Sequence, residues 1–365
     1  MVDLYSWGAN SHGQLGLGYD SEMCTTPQKV PLNSDSIDLT NIQKMQGGGG
    51  HLLLLDKNGR MYGCGWNGKG QLGLCNTVDS HSIQPLLKTD SPIVDIASGW
   101  DSTAAIDQKG NLYVWGSNAF DQLGFSSQFI DTFFTMPMLL NLPSNEKAKK
   151  VCFGLRYMCV LCESQNIYIV GRWRFLDTCA EVIMHNDTNF YKLLTPANLT
   201  IKDISSGSNH VVCACTDDGV SVVIIGFGDN RFLQCSEKRL ESDDICYLRS
   251  GWSHNGILTT NGSVYLWGRN TYGQLANSQA DKYDEFLELK GVHGKIEQFH
   301  LGSEHGLVVN EQKNVFTWGW NEHGNCGNGN EANLFESYQV QLPGKCIQST
   351  TGAGFCYALV HHSDD

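Results

Sequence analysis

The chain has 365 residues, 41% of them hydrophobic, with 40 glycines against 8 prolines and a formal net charge of −13. That apolar content supports a packed core, and the glycines fit many tight turns instead of a disordered chain. The acidic balance argues against nonspecific attraction to nucleic acid or anionic membrane and favours a basic partner, and no apolar run approaches the roughly 18 residues that span a bilayer.

In chain order, Leu4 to Trp7 reads as a strand that ends on Gly8 and leads to a corner at Gly13-Gln14-Leu15-Gly16. It begins so close to Met1 that no signal peptide is expected. The fourteen cysteines, mostly set in apolar strand patterns, then fit a reducing compartment. A cytoplasmic location is expected, with nuclear residence also open, and the chain is expected to be a monomer that inserts into no membrane.

Next comes Gly47-Gly48-Gly49-Gly50-His51 and an apolar strand, then Gly65 to Gly73 repeats the opening corner. The same sequence of signals returns at Gly99-Trp100-Asp101 with Trp115 to Gly124. It returns again at Gly154, Gly207, Gly251, Gly302 and Gly352. The steps between the opening glycines are 51, 55, 53, 44, 51 and 50 residues, a period that points to propeller blades. The unit around Gly302 predicts strands over 296–300, 305–309 and 315–318, with a turn at 302–304 and a weaker fourth strand farther out. The last unit has its inner strand, 352–360, but no Trp-Gly strand after it, and the chain begins with such a strand and nothing before it. Pairing the two ends closes a ring without a long exposed edge. The expectation is an all-β, seven-bladed β-propeller occupying residues 1–365 as a single domain.

Two units are degenerate, with Arg172-Trp173-Arg174-Phe175 and Phe227 to Gln234 standing where the corner should be. These are either drift in outer turns or, for the first, a basic and aromatic patch.

Residues with chemistry are few. Gly47 to Gly50 is followed by neither Gly-Lys-Ser/Thr nor a helix, so a phosphate cradle is not expected. His51, His210, His254 and His305 share one blade position and are expected to bond backbone groups of neighbouring turns, not a metal. Cys159 and Cys162 lie three apart on a strand, so their sulfurs point to opposite faces. No nucleophile elbow or oriented base is visible. No cofactor, metal or catalytic residue is expected. Trp100, Trp252 and Trp320, beside Asp101 and Glu322, suit a protein-binding surface.

The run Trp7-Gly8-Ala9-Asn10-Ser11-His12-Gly13-Gln14-Leu15-Gly16 and its copies resemble the regulator-of-chromosome-condensation repeat family, over essentially the whole chain. Gly302-Ser303-Glu304-His305 and Trp318 through Asn333 look most like its group of secretion-regulating guanine nucleotide exchange factors. The resemblance implies a regulatory binding protein, with a small GTPase and exocyst or other secretion-machinery proteins as partners. It also implies that the glycine-opened turns carry the binding surface, at Asp101, Arg156, Asn209, Ser253 and Glu304. The candidate partner-binding set is Trp100, Asp101, Arg156, Asn209, Trp252 and Glu304, with Asp101 and Glu304 expected to be exposed. The basic tail that the nuclear member uses on chromatin has no counterpart, so nucleic acid is not an expected partner. A non-catalytic scaffold using the same faces is the alternative.

Overall fold

A computed structural model describes residues 1–32, 37–86, 89, 91–126, 132–176, 181–184, 188–217, 221–240 and 245–362. Its strands form seven antiparallel sheets, the blades of a β-propeller. The blade around Gly302 runs Ile296–Leu301, His305–Asn310, Val315–Gly319 and Leu334–Gln339 from the axis outward. Each predicted strand is thus longer by one residue, the last position being taken by Leu301, Asn310 or Gly319. The closing blade places Val2–Ala9 between Met23–Lys29 and Phe355–His361. Leu4 lies opposite Leu359 and Trp7 opposite Cys356, as ring closure requires.

The Trp-Gly strand ends owe their form to backbone geometry. Gly8, Gly65, Gly116, Gly171, Gly228, Gly268 and Gly319 all have φ between 92° and 105°, a region closed to most side chains. A Cβ on Gly319 would also fall 2.6 Å from the Glu304 carbonyl oxygen. The corner that follows is held by two side chains. Asn10 Oδ1 accepts the Leu15 N–H at 3.1 Å and Gln14 Oε1 accepts the His12 N–H at 2.8 Å.

The degenerate stretch Phe227 to Gln234 keeps this corner. Asn230 accepts from Cys235 and Gln234 from Phe232, each at 2.8 Å, while Leu233 takes the glycine's place at φ 66°. The other stretch does not form the aromatic patch considered above. Trp173 is 2% exposed and packs with Tyr157, ring centroids 5.9 Å apart, so of that turn Arg172 and Arg174 are exposed and Phe175 is half-buried.

Blades are bolted to one another. Trp7, Trp115, Trp267 and Trp318 are fully buried and donate their indole N–H to the carbonyls of Asn325, Gln71, Gln234 and Gln274 in the preceding blade, at 2.8–3.2 Å. Every innermost strand carries a register shift near its start, for example between Ile42 and Lys44, which bends it around the axis. The next residues, including Lys44, Asp95, Lys150 and Asp203, face a central channel of about 1060 Å³. Lys44 pairs with Asp95 at 2.5 Å and Lys150 with Asp203, each link joining two blades.

The recurrent histidines bond side chains of the next blade, not the turn backbone expected from sequence. His51 Nε2 lies 3.1 Å from Thr103 Oγ1, His210 Nε2 2.7 Å from Asn255 Oδ1, and His305 Nε2 3.4 Å from Cys356 Sγ. At the same position the blade after His254 has Gly306, and His254 Nε2 has no partner. Burial pushes His51, His254 and His305 down to about 3 and His210 to about 4. Each is neutral when folded and regains its ordinary pKa when unfolded, so the unfolded chain takes up the extra protons. Stability is therefore full above pH 6.5 and lost as pH falls toward 3, by up to about 1.4 kcal/mol per pH unit for each histidine. Urea midpoints measured from pH 7.5 to 4.5 should fall steeply below 6.5; a flat profile would contradict neutral burial.

Candidate functional site

Seven three-residue turns, opened by the glycines noted above, crowd around one end of the channel. At six of the seven the opening position must be glycine because the first side chain of the next strand folds beneath it; at Gly99 the close neighbour is the Phe153 ring, 3.0 Å from a Cβ. A Cβ on Gly207 would lie 2.0 Å from His210 Cε1. The third residue of each turn is equivalent in all seven blades. The carbonyls of Gly50, Asp101, Arg156, Asn209, Ser253, Glu304 and Gly354 accept the N–H of Trp66, Ser117, Arg172, Asp229, Arg269, Trp320 and Ala9, at 2.7–3.0 Å. The second residues form a ring, tied at six junctions by backbone bonds such as Ser208 N–H to Trp252 O at 3.0 Å and Trp252 N–H to Ser303 O at 2.8 Å. Loop residues are thus fixed to a rigid frame.

The frame brings some of the candidate residues together and separates others. Trp100 and Trp252 come from distant blades and meet over the axis, ring centroids 5.6 Å apart. They are 39% and 37% exposed. Asp101, Arg156 and Asn209 stand farther round the rim. Asp101 is half-buried, and desolvation raises its pKa although the hydroxyls of Ser117 and Ser102 oppose the shift. Arg156 is exposed, its guanidinium 4.5 Å from the centroid of the Phe120 ring.

Glu304 departs from expectation: it is 6% exposed, not a surface charge. Its carboxylate accepts from Arg269 Nη1 at 3.1 Å and from Gln274 Nε2 at 2.6 Å, and burial raises its pKa against both partners. Glu304→Lys would set an ammonium beside Arg269 in a desolvated place. It should cost about 3–5 kcal/mol, read as a loss of melting temperature, while Glu304→Gln should cost far less. Equal melting points for wild type and Glu304→Lys would place Glu304 in solvent.

Around the Trp100–Trp252 pair the turns and the corner loops enclose a cup of about 850 Å³, lined also by Trp66, Trp320, Tyr272, Arg269, Glu304, Glu322 and Glu331. Trp66 stacks on His12 with centroids 5.2 Å apart, and Trp320 Nε1 donates to Glu322 at 3.2 Å. Sequence reasoning passed over Trp66, Tyr272, Arg269 and Glu331. One signal could have found several of them. The residue just after each Trp-Gly-type glycine varies while its backbone is fixed, and Ala9, Trp66, Arg269 and Trp320 from that position all line the cup. Among the described residues no three metal-ligating side chains come together, and thirteen described cysteines are free thiols. No described helix is long and apolar enough to cross a membrane.

Seven blades, glycine-opened turns and Trp-Gly strands with Gln-containing corners define a protein class, and the chain belongs to it: the RCC1-like domain family, matched over residues 3–358. Within it, the chain is 30% identical to the secretion-regulating guanine nucleotide exchange factor of Mus musculus, over 98% of this chain and 83% of that protein. The exchange factor of the same name from Bos taurus is 29% identical over 91% and 77%. The crystal structure of Prp20p from Saccharomyces cerevisiae, a protein studied for binding Gsp1p and histones, shares the fold, with a TM-score of 0.85 at 21% identity over 100% of this chain and 92% of that one.

Proposed function

We propose that this chain is a guanine nucleotide exchange factor-like regulator of a small GTPase in secretion or vesicle trafficking. The observation that carries the reading is the 30% identity, over nearly the whole chain, to an exchange factor of that kind. The binding surface is the face of the glycine-opened turns, with Trp100 and Trp252 at its centre and Asp101, Arg156 and Asn209 on the rim. Glu304 acts from below by holding Arg269 in place.

Exchange on such a face needs no nucleophile, base or metal. A GTPase that binds the face more tightly without nucleotide than with it releases its nucleotide faster, so the work is differential binding between two states. A rigid frame suits that task because it does not relax to accommodate the nucleotide-bound form. The test is release of fluorescent GDP from a panel of purified secretory GTPases, with a Gsp1p-type GTPase included, in the presence of the full chain. Accelerated release from one member supports the reading. Capture of a GTPase with unchanged release would make the chain an adaptor, and neither effect on any member would overturn the proposal.

A further inference from the structure

The chain has nine tryptophans, and the fold divides them sharply. Trp7, Trp115, Trp173, Trp267 and Trp318 are buried between blades. The other four, Trp66, Trp100, Trp252 and Trp320, all line the single cup on the turn face. Four large aromatics gathered in one concavity, Trp100 and Trp252 more than a third exposed and Trp66 and Trp320 half-buried, mark a binding site.

The charges around the cup say what fits it. Of the lysines and arginines among the described residues only Arg269 lines it, and it is already used: it pairs with Glu304 at 3.1 Å and lies 4.8 Å from the centroid of the Tyr272 ring. Two histidines also line the cup, His12 against Trp66 and His323 against Trp320, which leaves the faces of Trp100 and Trp252. Glu322 and Glu331 on the rim are exposed, and neither has an ion-pair partner among the described residues. Among the described residues no lysine or arginine stands over any of the four cup tryptophans, although several cover other aromatic rings of the molecule. Aromatic faces attract a cation through their negative quadrupole, most strongly for tryptophan. The Glu322 and Glu331 carboxylates at the mouth, the former accepting only the Trp320 indole N–H, add the matching long-range field.

We infer that the cup receives a lysine or arginine side chain displayed by the protein partner, its aliphatic stem against Trp100 and Trp252 and its charged end toward Glu322 and Glu331. The inference rests on the reading that this face receives a protein, and it supplies the chemistry of the anchor.

The test uses the full chain and the peptide acetyl-Gly-Gly-Lys-Gly-Gly-amide, with versions carrying arginine, acetyl-lysine or norleucine in place of the lysine, followed by tryptophan fluorescence and calorimetry. Lysine and arginine peptides should bind saturably, at least about tenfold more tightly than norleucine or acetyl-lysine, and should weaken as salt rises. Trp100→Ala with Trp252→Ala should remove the binding. Glu322→Gln with Glu331→Gln, both exposed, should weaken it without lowering the melting temperature, which keeps the test valid should the tryptophan variant fold poorly. Norleucine binding as tight as lysine, or no saturable response to lysine, would overturn the inference. Loss of lysine preference beside intact nucleotide release would sink the anchor alone; lysine binding without any GTPase response would support the anchor and sink the GTPase reading.

Discussion

Deletion of residues 1–8 is expected to leave a chain that aggregates or melts far below the intact protein. Those residues form nearly all of Val2–Ala9, which bonds on one side to Phe355–His361 and on the other to Met23–Lys29. Removing them strands Met23–Lys29, exposes the edge of Phe355–His361 and opens the ring. It also takes away Leu4 and Trp7, 1% and 0% exposed, the latter packed with Leu307, Val309 and Val360 at the junction with the preceding blade. The single substitution Trp7→Ala isolates that second loss. It should cost about 3–5 kcal/mol by truncation alone and more through the Asn325 carbonyl, which loses its indole donor. Thermal unfolding with size-exclusion chromatography checks both variants. A deletion variant that stays monomeric with an unchanged melting curve would mean the ring does not depend on its terminal pairing.

The second large effect concerns the turn face. Trp100→Ala combined with Trp252→Ala should abolish capture of the GTPase partner, with at least about a hundredfold loss in affinity and a matching loss in nucleotide release. Tryptophans at the centre of an interface commonly carry 2 kcal/mol or more each. Folding should change little, because both side chains are more than a third exposed and their turn bonds are made by the backbone. Pull-down and GDP release on the same preparations, with a melting curve for each, separate binding from stability. Full capture by the folded double variant would move the partner to the opposite face of the disc or to the exposed Arg172 and Arg174.

The fold was legible because its determinants are local and repeated. A glycine that must adopt φ near 100° recurs after each third strand, and a glycine that must clear a side chain opens each turn. A single sequence shows both as spacing. The equivalence of Asp101, Arg156, Asn209, Ser253 and Glu304 was readable for the same reason, since one backbone bond repeats at each.

The cup was only half visible. Trp100 and Trp252 stand out in sequence, but they lie 152 residues apart, and only ring closure shows that they touch. The burial of Glu304 depends on Arg269 and Gln274 of the preceding blade, a contact no local pattern reports. Trp173 misled for the opposite reason. Flanked by arginines in a broken corner, it reads as a surface residue, whereas it fills core space beside Gly228 and Tyr157.

On the proposed function, the turn face binds one state of a small GTPase in preference to another. The most direct measurement is the affinity of the full chain for a responsive GTPase in nucleotide-free and GDP-loaded forms, under identical salt. Differential binding predicts that the nucleotide-free form binds at least about a hundredfold more tightly, and that added GDP disrupts the complex. Equal affinity for the two forms, or no affinity for either across the panel, would rule out differential binding by this face.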